Sequence, residues 1–133
     1  MKNKILLVFL NVYLLNSCNY KNDQQMNNNS FSIINQFEVP PNSESEFIDF
    51  FSSHIKLINS QRGIIDCRLF KASNNENVLS FISIVRWKNQ EAAINAKVRI
   101  DSTNKESGVD IKEFQEKYNI KVVNRSFSEI PVL

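Results

Sequence analysis

The chain has 133 residues, 42% of them apolar and 11% aromatic, with 16 basic and 14 acidic side chains. That length gives one domain with extensions and leaves no room for a second core. Two cysteines, two glycines and three prolines exclude a disulfide scaffold and a low-complexity chain, while the near-balance of charge excludes a strongly basic nucleic-acid binder.

Lys2 and Lys4 precede an apolar run from Ile5 to Leu15, interrupted by Asn11. Residues 1–17 therefore read as an export signal, the run being shorter than the ~20 residues that span a bilayer. Leu15-Asn16-Ser17-Cys18 resembles the lipobox of bacterial lipoproteins, which implies a lipid on Cys18 and anchoring to a membrane of the bacterial cell envelope. Setting aside Lys2 and Lys4 leaves 14 basic residues against 14 acidic ones, a formally neutral mature chain that does not call for nucleic acid as a partner. Cys67 is then the remaining free thiol, so no intrachain disulfide is expected; it reads as a buried strand residue. Residues 18–30 are polar and Asn-rich and read as a flexible tether.

Residues 31–133 read as the folded domain. Ile33, Asn35, Phe37 and Val39 share one face of a strand, with Ser32, Ile34, Gln36 and Glu38 on the other. Asn35 is thus a polar residue in an apolar row. Pro40 and Pro41 end the strand, and Ser43 with Glu46 predicts a capping box opening a helix from about Glu44 to Asn59. On a wheel Phe47, Phe50, Phe51, His54, Ile55, Leu57 and Ile58 fall on one arc, with His54, the single histidine of the chain, near its middle. Gly63 suits the turn that follows.

The stretch from Gly63 to Ser73 predicts a strand with Ile65, Cys67 and Leu69 on one face and Ile64, Asp66, Arg68 and Phe70 on the other. After a polar turn at Asn74–Asn77, Val78 to Trp87 predicts a strand with Leu79, Phe81, Ser83, Val85 and Trp87 on one face and Val78, Ser80, Ile82, Ile84 and Arg86 on the other. Apolar residues on both faces imply cover on both. A second helix is expected through about Arg99, then a charged break from Asp101 to Ser107, a short helix from Val109 to Tyr118, and a last strand from Ile120 to Ile130. That order is a ferredoxin-like split βαβ in an α+β domain with an antiparallel four-stranded sheet. Ile34, Ile64, Phe70, Ile82 and Ile84 on the outer sheet face have nothing in the chain to cover them, which predicts a homodimer.

Asn35, Trp87 and His54 converge from two strand faces and a helix face, and convergent polar groups among apolar ones are where a site is expected. Each has an ordinary alternative: a satisfied buried amide, a core indole, a core histidine.

Three runs carry a family resemblance. Ile33-Asn35-Phe37 leads into Val39-Pro40-Pro41 and a helix with Phe47; Val85-Arg86-Trp87 is followed by Asn89-Gln90-Glu91-Ala92; and Glu113-Phe114-Gln115-Glu116-Lys117 leads into Ile120. Over about Phe31 to Ile130 the chain resembles the antibiotic biosynthesis monooxygenase (ABM) family. The resemblance implies ferredoxin-like subunits paired sheet to sheet as a dimeric α/β barrel. It also implies a cavity between helices and sheet in which phenols are oxidised by O2 with no metal or flavin cofactor, and it places Asn35 and Trp87 on that cavity. A haem-degrading branch uses a histidine on the second helical stretch as iron ligand, and this chain has none after Trp87.

The expected function is a cofactor-independent monooxygenase acting on a small aromatic or phenolic substrate. Asn35, His54 and Trp87 are the expected catalytic residues, with His54 as base and Asn35 as donor to the developing oxyanion. Phe37, Phe51 and Ser83 are expected to contact substrate. The competing reading is a non-catalytic envelope lipoprotein dimer that holds a small hydrophobic molecule, or haem, in the same pocket.

Overall fold

In the computed structural model, which describes residues 30–72 and 77–130, four strands pair into one antiparallel sheet. The elements are β1 (Phe31–Val39), α1 (Glu44–Asn59), β2 (Ile64–Lys71), β3 (Leu79–Trp87), α2 (Gln90–Glu106), α3 (Ile111–Lys117) and β4 (Lys121–Ser128). The strand order is β2-β3-β1-β4, the expected α+β ferredoxin-like arrangement. The signal segment, Cys18 and the Asn-rich stretch lie outside the described residues.

Period-2 alternation decides the faces of the sheet. Ile33 lies opposite Val85, Asn35 opposite Ser83 and Phe37 opposite Phe81, all buried. Ile34 lies opposite Ile84 and Gln36 opposite Ile82 on the outer face. Phe70, Ile82, Val123 and Phe127 are exposed there, beside a two-pronged ion pair in which Arg86 Nε and Nη2 donate to Asp66 at 2.8 and 2.7 Å. The hydrogen bond from Arg86 holds the Asp66 carboxyl below its usual range.

Three sequence expectations need correction. A bulge between Ile64 and Asp66 sets Ile64 opposite Trp87, so Ile64 packs against the core and Ile65 is the exposed residue. One inserted residue reverses the facing that strict alternation gives. Ser43 makes no side-chain capping bond. It is drawn into a 3-10 turn over Pro41–Ser43, where its N–H donates to Pro40 O at 2.9 Å and its φ of −112° and ψ of 8° are not the extended backbone that aims a capping hydroxyl. Finally, α2 does not break at Asp101. Asn89 Oδ1 caps its start by accepting from Ala92 N at 2.9 Å, Lys97 pairs with Asp101 at 2.7 Å one turn on, and no Gly or Pro intervenes before Gly108, whose φ is +70°. The charged stretch is the solvated face of a long helix.

Cys67 is half-buried on β2 opposite Val85, and burial pushes its thiol up to about 12. Between α1 and β2, Gly63 has φ +83°, its carbonyl accepts from Lys88 N at 2.8 Å, and a Cβ there would lie 2.5 Å from the Ala92 Cβ of α2.

Candidate active site

The core beneath the helices is divided. Phe31, Ile33, Ile58, Val85, Trp87, Ala96 and Ile100 belong to one cluster; Phe37, Val39, Phe47, Phe51, Phe81 and Ile120 belong to the other. Between them on the sheet lie Asn35 and Ser83, 2% and 0% exposed, with Asn35 Nδ2 donating to Ser83 Oγ at 2.8 Å. On α1, Phe51 belongs to one cluster and Ile58 to the other, so His54 falls at the level of the Asn35–Ser83 pair. On α2, Ile100 belongs to the first cluster, and the buried Asn104 follows it by one turn toward the second. Asn124 of β4 lies opposite Asn35. A polar layer therefore crosses the molecule from sheet to helices.

Polar atoms in this interior are not all satisfied. Asn35 Oδ1, Trp87 Nε1 and Gln115 Nε2 are enclosed with no hydrogen-bond partner among the described residues. Each such group costs about 1–3 kcal/mol, which a polar ligand pairing with it would recover. Asn35 is partly committed: one Nδ2 hydrogen goes to Ser83, and the second hydrogen and Oδ1 remain.

Above the layer the helices part around a cleft of about 570 Å³. Glu46, Asp49, Phe50, Ser53, His54 and Leu57 of α1 form one wall; Thr103 and Asn104 of α2, Ser107 and Val109 of the connection, Phe114 of α3 and Tyr118 form the rest. At about 100° per residue the α1 residues of this wall occupy one side of the helix, and the sheet-facing Phe47, Phe51 and Ile58 the adjacent side. His54 sits where the two meet, 6% exposed. The rings of His54 and Phe50 are parallel within 9° at 6.1 Å, and those of Phe50 and Phe114 within 12° at 3.9 Å, so the cleft is backed by a column of three rings. Burial lowers the imidazolium pKa of His54 to about 4, because the desolvated charged form is disfavoured. The ring is thus neutral at ordinary pH.

The sequence-predicted site residues are distributed as follows. Asn35 and Ser83 are joined directly. Trp87 is on the same inward row, four residues from Ser83, inside the first cluster. Phe37 and Phe51 pack edge to face at 5.8 Å in the second cluster. His54 lines the cleft, and none of the other five does. Sequence reasoning missed Asn104. The row Ala93, Ala96, Ile100, Asn104 would have exposed it had the helix been continued past Arg99. Among the described residues no group of three His, Cys, Asp or Glu side chains could hold a metal ion.

A family model described as antibiotic biosynthesis monooxygenase matches residues 30–97, just over half of the chain, taking in Asn35, His54, Ser83 and Trp87. The chain belongs to this family. The ABM match ends before Asn104 and Phe114, so the far wall of the cleft is built by residues outside it. Solved structures share the ABM chain's fold over nearly their whole length. SnoaB, a cofactor-independent oxygenase from Streptomyces nogalater, is 17% identical with a TM-score of 0.58, covering 79% of this chain and 97% of its own. A dimeric ferredoxin-like protein from an uncultured marine organism is 14% identical with a TM-score of 0.58, covering 79% and 99%. A conserved protein from Methanosarcina mazei Go1 is 15% identical with a TM-score of 0.57, covering 75% and 92%. At these identities the likeness is one of fold. No curated protein matches the chain by sequence.

Proposed function

We propose that this ABM chain is a cofactor-independent monooxygenase whose small phenolic substrate enters the cleft between α1, α2 and α3 and meets the polar layer beneath it. The observation that carries this reading is the break in the core. A monomer gains nothing from interrupting two apolar clusters with an incompletely bonded amide unless that amide has another partner. In this reading the phenol gives its proton to neutral His54. The transfer becomes favourable as the phenolate forms beside the imidazolium, since opposite charges in a dry site stabilise each other. The electron-rich ring then reacts with O2. One oxygen atom bonds to a ring carbon, which loses its hydrogen; the other leaves as water, and the substrate supplies the electrons, ending as a quinone. The free Nδ2 hydrogen of Asn35 is the donor to the negative oxygen that develops.

Asn35→Ala tests this. Oxygen uptake with a panel of phenols should fall about 100-fold, the effect of losing one oxyanion donor. Unchanged uptake in the variant, or none by the wild-type chain with any phenol, would overturn the reading.

The outer sheet face is the proposed dimer surface, supported by the exposed Phe70, Ile82, Val123 and Phe127 and by the described dimeric state of the marine relative. Ile84→Glu should yield monomers in sedimentation, because a carboxylate in a dry interface goes unpaired; wild-type chain that sediments as a monomer at micromolar concentration would remove the proposal. Anchoring through Cys18 is proposed on the lipobox resemblance. Cys18→Ser should move the protein from the membrane to the soluble fraction, and wild-type protein without an acyl mass on Cys18 would refute it.

A further inference from the structure

The cleft carries a charge pattern that the oxidation of a plain phenol does not use. Glu46 and Asp49, one turn apart on α1, stand on its wall with exposed side chains, and neither takes part in an ion pair among the described residues. Among the described residues no Lys or Arg lines the cleft, though Lys117 Nζ lies 5.2 Å from the centroid of the Tyr118 ring. On the opposite wall Asn104 is 9% exposed, and its side-chain amide has no hydrogen-bond partner among the described residues. The lining is aromatic beside the carboxylates, where Phe114 stacks at 3.9 Å on Phe50, the residue after Asp49, and its ring tilts against that of Tyr118 at 4.8 Å.

Two unopposed carboxylates, an aromatic lining beside them and an unspent amide on the opposite wall specify a ligand with the complementary groups. We propose that the cleft binds an arylalkylamine in its cationic form, with the ammonium against Glu46 and Asp49, the ring against Phe114 and Tyr118, and a ring hydroxyl within reach of Asn104. The lengths agree. Asp49 and His54 are separated by about 7.5 Å along the helix axis at the usual rise per residue, close to the span of an extended hydroxyphenylethylamine, which brings its hydroxyl to the level of the polar layer. An anionic ligand of the same shape meets two like charges on the α1 wall and, among the described residues, no Lys or Arg on the lining itself. His54, neutral as burial keeps it, does not repel the ammonium. This inference names the substrate class for the oxygenase reading and rests on it only for what happens after binding.

Three ligands of one shape separate charge from shape: tyramine, 4-ethylphenol and 4-hydroxyphenylacetate, titrated calorimetrically into the full-length protein. Tyramine should bind about tenfold more tightly than 4-ethylphenol and 4-hydroxyphenylacetate most weakly, with the spread narrowing as salt is raised. The double variant Glu46→Gln, Asp49→Asn, altered only at exposed positions, should bind tyramine and 4-ethylphenol alike. Equal binding of the three ligands by the wild-type chain, no saturable binding of tyramine at millimolar concentration, or a preference for tyramine that survives the double variant would each overturn the proposal. Oxygen uptake in the same samples keeps the two claims apart. Charge-selective binding without uptake upholds this proposal and removes the oxygenase reading; uptake without charge selection does the reverse.

Discussion

His54→Phe should remove most of the loss of stability that the wild-type fold suffers between pH 6.5 and pH 4. Unfolded, the imidazole titrates near its ordinary 6.5; folded, burial lowers it to about 4. Above pH 6.5 both states are neutral at this group and the full stability is present. As pH falls through 6.5 the unfolded chain takes up a proton that the folded chain refuses, so folding is progressively disfavoured until the folded pKa is reached. The gap of about 2.5 units corresponds to about 3 kcal/mol, a large share of the ~5–15 kcal/mol of a typical domain. Phe keeps a ring beside Phe50 and removes the titration. Urea midpoints of variant and wild-type chain compared at pH 7.5 and pH 4.5 check this, since groups titrating in both proteins cancel in the difference. An identical acid loss in the two proteins would show that His54 takes up its proton without penalty in the fold. In the oxygenase reading the same variant also stops turnover, as no base remains at the inner edge of the cleft.

Gly63→Ala should cost about 3 kcal/mol or more and lower the melting temperature by roughly 10 °C or more. Two terms add. The φ of +83° disfavours any side chain by about 1–2 kcal/mol, and the new methyl would stand 2.5 Å from the Ala92 Cβ, which the interior cannot accept without a backbone shift. That shift would pull on the bond from Lys88 N to Gly63 O, which ties the α1–β2 turn to the end of β3. Ala92→Gly in the same chain should restore the steric part and leave the backbone part, so the double-mutant cycle reports the contact itself. A loss below about 1 kcal/mol in Gly63→Ala would mean that turn and helix are not in contact.

Much of this architecture is readable from residue order. Alternation in Ile33-Ile34-Asn35-Gln36-Phe37 and in Phe81-Ile82-Ser83-Ile84-Val85 is enough to pair the central strands and to set Asn35 and Ser83 inward, where they meet. The errors arise where local pattern competes with something non-local. Ile64 alternates correctly in sequence, yet the bulge that turns it inward is set by how β2 meets the end of β3. Ser43 and Glu46 have capping-box spacing, but the rigid prolines before them impose a 3-10 turn first. The weak apolar stripe of α2 hides its length, because only Ala93, Ala96, Ile100 and Asn104 on its buried face touch the interior. The convergence expected of His54 with Asn35 depends on the direction of α1 over the sheet. No periodicity encodes that direction; the division of core residues between two clusters puts His54 level with Asn35, while of the two only His54 lines the cleft.

That division also bears on the mechanics of the molecule. Interdigitated aromatic and aliphatic side chains make a stiff block, because every displacement forfeits many short-range contacts at once. Here there are two such blocks, and the layer between them is polar, with the 2.8 Å bond from Asn35 to Ser83 at its sheet end. The sheet runs without a break through both blocks, and on the helix side α1, which is gripped by Phe47 and Phe51 at one end and Ile58 at the other, bridges them across the polar layer. The cleft opens on the side of α1 that carries Glu46, Asp49 and Ser53, so a ligand can reach it while Phe47, Phe51 and Ile58 stay seated in their blocks.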